Sequence, residues 1–212
     1  MGKRDRVYLS FFNGKDDFGL ASTERFGVSQ SSIDFGLDWF NSVAAARWNH
    51  EWTPKLFSNL TVTRSEYSFN TGIEFSVTEN TASDSTTQRF NSLYRSGIVD
   101  HTARMDFNYA LNNAHYLRFG GNMTLHRFNP GATTFQAEFG QEFPGIDTTL
   151  GADQVRSTER FLYIEDEIHV SDQFRANIGL HGARLQVNGT SFTSLQPRVA
   201  LNFRLLNGGA LK

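Results

Sequence analysis

Alternation with a period of two is the feature that most limits how this sequence can fold. From Leu195 to Leu205, Pro197, Val199, Leu201, Phe203 and Leu205 fall on one parity, and Gln196, Arg198, Ala200, Asn202 and Arg204 on the other. Successive side chains of a strand point to opposite faces, so this run has one apolar and one polar face. The run before it sets Ala176, Ile178 and Leu180 against Arg175, Asn177 and His181. Before that, Leu162, Ile164 and Ile168 alternate with Tyr163, Glu165, Glu167 and His169. A short turn at Val170–Gln173, a longer loop around Asn188–Gly189 and a short turn at Asn207–Gly209 separate these runs. The rhythm predicts an all-β, antiparallel up-and-down transmembrane β-barrel segment.

The same unit runs back through the chain. Arg6–Phe12 is the first strand, with Val7, Leu9 and Phe11 on one face, and Asn41–Trp52 is the second. Leu56–Phe69, Ile98–Ala110 and His115–Phe128 follow, giving about eight meandering strands in all. Thr53-Pro54-Lys55 and Leu111–Ala114 are short turns, whereas Gly14–Asp38, Asn70–Arg95 and Asn129–Arg156 read as long polar loops. An even alternation puts all three loops on one side. Aromatic residues near strand ends (Trp48, Trp52, Phe57, Tyr109, Tyr116 and Phe128) sit where membrane girdles place them. Asp166 and Arg184 fall on the apolar parity, which calls for a β-bulge or for positions near the membrane interface.

Composition excludes several classes. No run approaches the ~18 apolar residues of a transmembrane helix. There is no Cys, and the net charge of −2 argues against a nucleic-acid partner. The 20 Phe and the aromatic share of 14% suit an apolar outer face diluted by a polar interior. A soluble β-sandwich binding module also alternates, but strands of this length exceed the usual ~5–6 residues of globular sheets.

No constellation carries chemistry. Glu165 and Glu167 share a parity as paired catalytic carboxylates would, but Arg175 and Arg198 on neighbouring strands make a solvated charge lattice the better reading. His50, His101, His115, His126, His169 and His181 lie on different strands without metal-ligand spacing. Asp16, Asp17 and Asp147 lack the pattern of a calcium loop. Asn188-Gly189-Thr190 fits a sequon, yet Asn-Gly has the simpler use of turning a hairpin. Nucleophile-elbow, P-loop and dinucleotide fingerprints are missing. No catalytic residue, metal site or cofactor is therefore expected. Phe18, Phe26, Phe35, Phe135, Phe139 and Phe143 are candidates to stack on a ligand or to pack loop against loop.

Several segments resemble the barrel of a TonB-dependent outer-membrane receptor of the Bacteroidetes type. They are Asp5–Asp16, Arg47-Trp-Asn-His50 running into Pro54–Asn59, His115–Gly120, Arg127-Phe-Asn-Pro130, Tyr163–Glu167 and Leu195–Arg198. Their order and spacing cover nearly the whole chain. Trp39-Phe40-Asn41 and His181 depart from the pattern without touching the fold. The resemblance implies a 22-stranded barrel with an N-terminal plug, importing a siderophore, cobalamin, oligosaccharide or peptide. Its implied partners are outer-membrane lipid, the rest of the barrel and plug, TonB through the plug, and a surface lipoprotein. Met1-Gly-Lys-Arg-Asp5 has no signal-peptide core and the chain ends in Lys212 rather than an aromatic residue. Residues 1–212 are accordingly expected to be an internal portion of the barrel domain. A self-contained small outer-membrane barrel, adhesin-like, is the other membrane reading.

Overall fold

The computed structural model describes residues 2, 4–139, 144–151, 154–204 and 210–211. The strands are β1 (Asp5–Phe26), β2 (Ser29–Thr53), β3 (Leu56–Asn80), β4 (Ser85–Ala110), β5 (His115–Phe139) and β6 (Ile146–Leu150). They continue as β7 (Val155–His169), β8 (Phe174–Val187), β9 (Thr190–Arg204) and β10 (Ala210–Leu211). All lie in one antiparallel sheet, in the order β1-β2-β3-β4-β5-β7-β8-β9-β10, with β6 paired to β5. The expected meander of eight long strands is present, and β6 and β10 are short additions to it. A sandwich needs a second sheet over its apolar face; the described strands form only one.

Most of the described residues in the three long polar loops are strand. β1 and β2 stay in register to Phe26↔Ser29, and β3 and β4 to Asn80↔Ser85. β5 runs on to Phe139 and carries β6 beside its upper half. Only Gly27-Val28 turns the first hairpin, and only Thr81–Asp84 the second. The Ser- and Thr-rich composition is compatible with strand because the hydroxyls bond across the ladder. Ser32 and Ser76 meet at 2.8 Å, Thr78 and Thr87 at 3.0 Å, and Thr134 and Thr149 at 3.0 Å. The loop around Asn188 also contracts, to a two-residue turn with φ of 47° at Asn188 and 83° at Gly189. Those values are the type I′ geometry that Asn-Gly favours. Leu205, the turn at Asn207–Gly209, Phe143 and Lys212 lie outside the described residues.

One irregularity shapes the upper sheet. Gly97 pairs with Asn129 and Arg95 with Ala132, so β5 carries one extra residue there. Pro130 has no N–H to give the ladder. Gly131 follows at φ 136°, and a side chain on it would strike the Tyr94 ring, whose hydroxyl donates to the Pro130 carbonyl at 3.2 Å. At this bulge the second edge of β5 changes partner, from β7 below (Phe128↔Val155) to β6 above (Thr133↔Leu150). β1 to β5 therefore stand far taller than β7 to β9. A strand of 25 residues such as β3 spans ~80 Å.

Burial is inverted relative to a soluble protein. Ala176 is the one buried hydrophobic residue among those described, while Leu9 is 80%, Leu162 73% and Val199 67% exposed. On β5, Met123 and Leu125 are exposed, but Asn122 and His126 on the polar parity are half-buried and Thr124 is buried. On β7, Leu162 and Ile164 are exposed whereas Phe161, Tyr163 and Glu165 are half-buried. Polar residues shelter one another and apolar ones face outward.

The apolar residues form an oblique band. One hydrogen-bonded row runs Val7, Trp48, Leu60, Met105, Gly121, Leu162, Gly182, Leu195. On β1 the apolar run lies from this row toward the hairpin tip (Val7, Leu9, Phe11). On β9 it lies from the same row toward the short turns (Leu195, Pro197, Val199, Leu201, Phe203). Such a drift across paired rows is what tilted strands crossing a flat apolar slab present. At the short-turn border, Trp48 Nε1 donates to Asp5 at 3.0 Å, and Trp52 Nε1 to Ser58 at 3.0 Å. His50 lies 2.7 Å from Asp5, with Tyr109 further along the same border. Phe57, Tyr116 and Phe128, expected in this girdle, pair instead with polar-parity positions and belong to the opposite face.

Asp166 and Arg184 need no bulge, since register is unbroken from β5 through β9. Asp166 sits at the short-turn border, 2.6 Å from His115 Nδ1. Arg184 lies at the opposite border, three residues before the end of β8, and donates to Ser191 Oγ at 3.0 Å.

Candidate functional site

The polar face of β3 to β9 carries a continuous lattice of charged and hydroxyl groups. Alternation puts Asp106, Arg104 and Thr102 on one strand of it and Arg118, Thr124 and His126 on the next. Asp106 is its best-connected member, accepting from Arg104 Nε at 2.7 Å and from the Tyr163 hydroxyl at 2.7 Å. Tyr163 reaches across β5 because residue 120 is Gly: a Cβ there would lie 3.0 Å from the ring. Thr102 and Thr124 bond at 3.1 Å, and Asn122 donates to Thr124 at 3.0 Å.

Glu165 and Glu167 join this lattice as separate ion pairs rather than as a catalytic couple. Arg198 lies 3.6 Å from Glu165, as the sequence suggests. Glu167 is held by Arg118 at 3.2 Å, with His169 at 3.6 Å; Arg175 is not its partner. Each carboxylate therefore faces its own cation, an arrangement that offers neither a nucleophile nor a shared proton.

The histidines scatter. His50, His101 and His115 lie on the apolar parity, and His126, His169 and His181 on the polar one. His126 pairs with Asp100 at 2.8 Å and stands 3.8 Å from Glu159, while His181 packs on the Phe161 ring with centroids 4.9 Å apart. Among the described residues no three His, Asp or Glu side chains are grouped as a metal ion would need. Asp16 and Asp17 are strand residues opposite Trp39 and Asp38, and Asp147 accepts from Gln136 at 3.2 Å. Thr190 opens β9.

Above the lattice the same face changes character. Phe18, Phe26, Phe35, Phe135 and Phe139 all fall on the polar-face parity of the tall hairpins. They are joined there by Leu20, Ile33, Leu37, Ile73, Phe75 and Phe90. Two paired rows show the layout: Leu20, Phe35, Ile73, Ser92, Phe135, and Ser22, Ile33, Phe75, Phe90, Ala137. The opposite parity carries Asp17, Asp34, Asp38, Glu74 and Arg89. Across β1 to β4 the pairing is unbroken between Val7 and Phe18, so the reversal lies in the sequence and not in a slipped register. Sequence reasoning singled out these five Phe residues but not the face they share, because the Ser, Thr and Gly content of the segments masked an alternation of opposite phase.

No protein-family model and no curated protein matches the chain. Solved structures similar to it include the FrpB iron transporter from Neisseria meningitidis, at 12% identity and TM-score 0.40, covering 96% of this chain and 45% of that one. A second is the ferripyoverdine receptor of the outer membrane of Pseudomonas aeruginosa, at 7% identity and TM-score 0.39, covering 95% and 40%. A third is the siderophore receptor PirA from Acinetobacter baumannii, at 10% identity and TM-score 0.36, covering 91% and 38%. The chain thus spans less than half the length of each of these three proteins.

Proposed function

We propose that residues 1–212 form part of the barrel wall and extracellular hairpins of a TonB-dependent outer-membrane receptor that takes up a nutrient ligand. The observation that carries this reading is the inverted burial: a single antiparallel meander exposes an oblique apolar band and shelters a polar lattice. The band faces lipid and the lattice faces the barrel interior. The short turns are periplasmic, and the tall hairpins β1–β2, β3–β4 and β5–β6 project outside. About 9–11 residues cross a bilayer, so more than half of β3 stands clear of it. The outer side of β1 has no partner among the described residues, which fits a wall continued by further strands.

The interior surface then has two zones. A ligand meets the apolar hairpin wall of Phe18, Phe35, Ile73, Phe75 and Phe135 first, and the Arg104–Asp106–Tyr163 lattice deeper in. The role is binding and passage without covalent chemistry, for a siderophore, cobalamin, oligosaccharide or peptide. TonB would act through a plug outside this chain, and a surface lipoprotein would meet the hairpin tips.

Sidedness tests the reading, and residues 1–212 contribute no Cys of their own to the labelling. In Gram-negative cells expressing the full-length protein, Val28→Cys and Asp84→Cys should react with a membrane-impermeant maleimide. Lys55→Cys, Asn113→Cys and Asp172→Cys should react only after the outer membrane is opened. Equal labelling of both sets in intact cells would contradict the membrane topology.

A further inference from the structure

Four arginines stand at the hairpin-side border of the apolar band, all on the apolar parity: Arg127 on β5, Arg156 and Arg160 on β7, and Arg184 on β8. All four are exposed. Arg127 is paired directly across the ladder with Arg156, and Arg160 with Arg184. Opposed like charges ~5 Å apart weaken a sheet, and here two such pairs lie within one patch. Arg64, Arg89, Arg104, Arg118 and Arg198 each have a carboxylate at ion-pair distance. The four border arginines have none among the described residues, as is also true of Arg6, Arg47, Arg95 and Arg175. What sets the four apart is that they oppose one another in pairs, with one side-chain bond among them, Arg184 to Ser191. The carboxylate on this face of β7 is Asp166, ~20 Å below Arg160 and already engaged by His115.

Met123 pairs with Arg160 and Leu125 lies on the row between the two arginine pairs, while Leu162 and Leu195 lie on the next row below Arg160 and Arg184; all four are exposed. Cationic forks above an apolar surface, at the border of a membrane band, match an amphiphile with an anionic head. Guanidinium groups bind phosphate oxygens in bidentate pairs. Arg160 borders an open, largely apolar depression with Met123 and Leu162, and all four arginines are exposed, so a free phosphate ion there would stay in water; a lipid phosphate is delivered to this height by its own acyl chains.

We propose that Arg127, Arg156, Arg160 and Arg184 form a docking site for the phosphate groups of a phosphorylated glycolipid of the outer leaflet, whose acyl chains lie along Met123, Leu125, Leu162 and Leu195. The proposal rests on the membrane reading above. The site neutralises the two like-charge pairs and fixes the height of β5, β7 and β8 in the leaflet.

The test uses the full-length protein in phosphatidylcholine vesicles, titrated with diphosphoryl lipid A. The variants R160Q/R184Q and R127Q/R156Q should each weaken lipid A binding by about tenfold or more. R160K/R184K, which keeps the charge, should recover most of the affinity, and Arg64→Gln should leave it unchanged. Lipid A stripped of its phosphates should bind the unaltered protein as weakly as intact lipid A binds the Gln variants. Equal affinity across all variants would overturn the site. Displacement of lipid A by millimolar inorganic phosphate would show a free-anion site and overturn its assignment to lipid. An unaltered protein that fails to enter phosphatidylcholine vesicles would overturn the membrane reading, and this proposal with it.

Discussion

Replacing Val199 with Arg should cost the membrane-inserted protein roughly 2–4 kcal/mol, whereas the same change at Ala200 should cost less than about 1. Val199 lies mid-way along the apolar run of β9, between Leu195 and Phe203, and is 67% exposed on the face assigned to lipid. A guanidinium there has no water, and its row neighbour Ile178 offers no partner. Ala200 is the next residue but points to the lattice, opposite Asn177. The contrast should repeat at Leu201 against Asn202 and shrink toward the band's border, because the penalty depends on depth. Heat-modifiable mobility in gels and urea unfolding in lipid vesicles read both effects. A protein that tolerates Val199→Arg as well as Ala200→Arg does not place that face in a bilayer.

The second large effect concerns the chain by itself. Without detergent or lipid, residues 1–212 should not persist as a monomer. The sheet has no hydrophobic core to hold it, since Ala176 alone among its described hydrophobic residues is buried. Its apolar band stays in water, and the outer edge of β1 presents unpaired N–H and C=O groups to any neighbouring strand. Sedimentation should find the material in large assemblies, and a zwitterionic detergent should reduce their size. A sharp monomer boundary in plain buffer, with cooperative melting, would mean that the apolar face is covered in a way this sheet does not provide.

What the sequence made legible was the part governed by strict alternation under a single phase. Leu195–Phe203 and Ile98–Ala110 can be placed from parity alone, and their faces stand as read. The short turns at Pro54-Lys55 and Leu111–Ala114 were legible for the same reason. The tall hairpins were not. Their strand character depends on cross-strand partners such as Ser32–Ser76 and Thr78–Thr87, which are invisible until the register is known. Their apolar residues also occupy the parity that is polar lower down, so no single phase of alternation runs through the whole strand.

The site divides in the same way. That Glu165 and Arg198 share a face followed from parity; that they meet depends on Gly179 of β8, which lies between their strands and has no side chain to separate them. That Glu167 would choose Arg118 over Arg175 did not follow from parity, because both strands flank β7 and only the realised geometry separates them. Asp166 and Arg184 looked like exceptions when each strand was read in isolation. Tilt resolves them: the band drifts by several rows across the sheet, so a position level with the core of β5 lies at the border of β7 or β8. Strand order and register, rather than any single run, carry that information.

Which face of β9 meets lipid decides whether the sheet is a barrel wall, and one measurement addresses it directly. Spin labels placed singly from Leu195 to Phe203 in the full-length protein, inserted in lipid vesicles, report oxygen and water-soluble relaxant separately. Oxygen accessibility should peak at positions 195, 197, 199, 201 and 203, and relaxant accessibility at 196, 198, 200 and 202, with a period of two. Water at every position, or the same alternation with its phase reversed, would contradict the barrel wall described above.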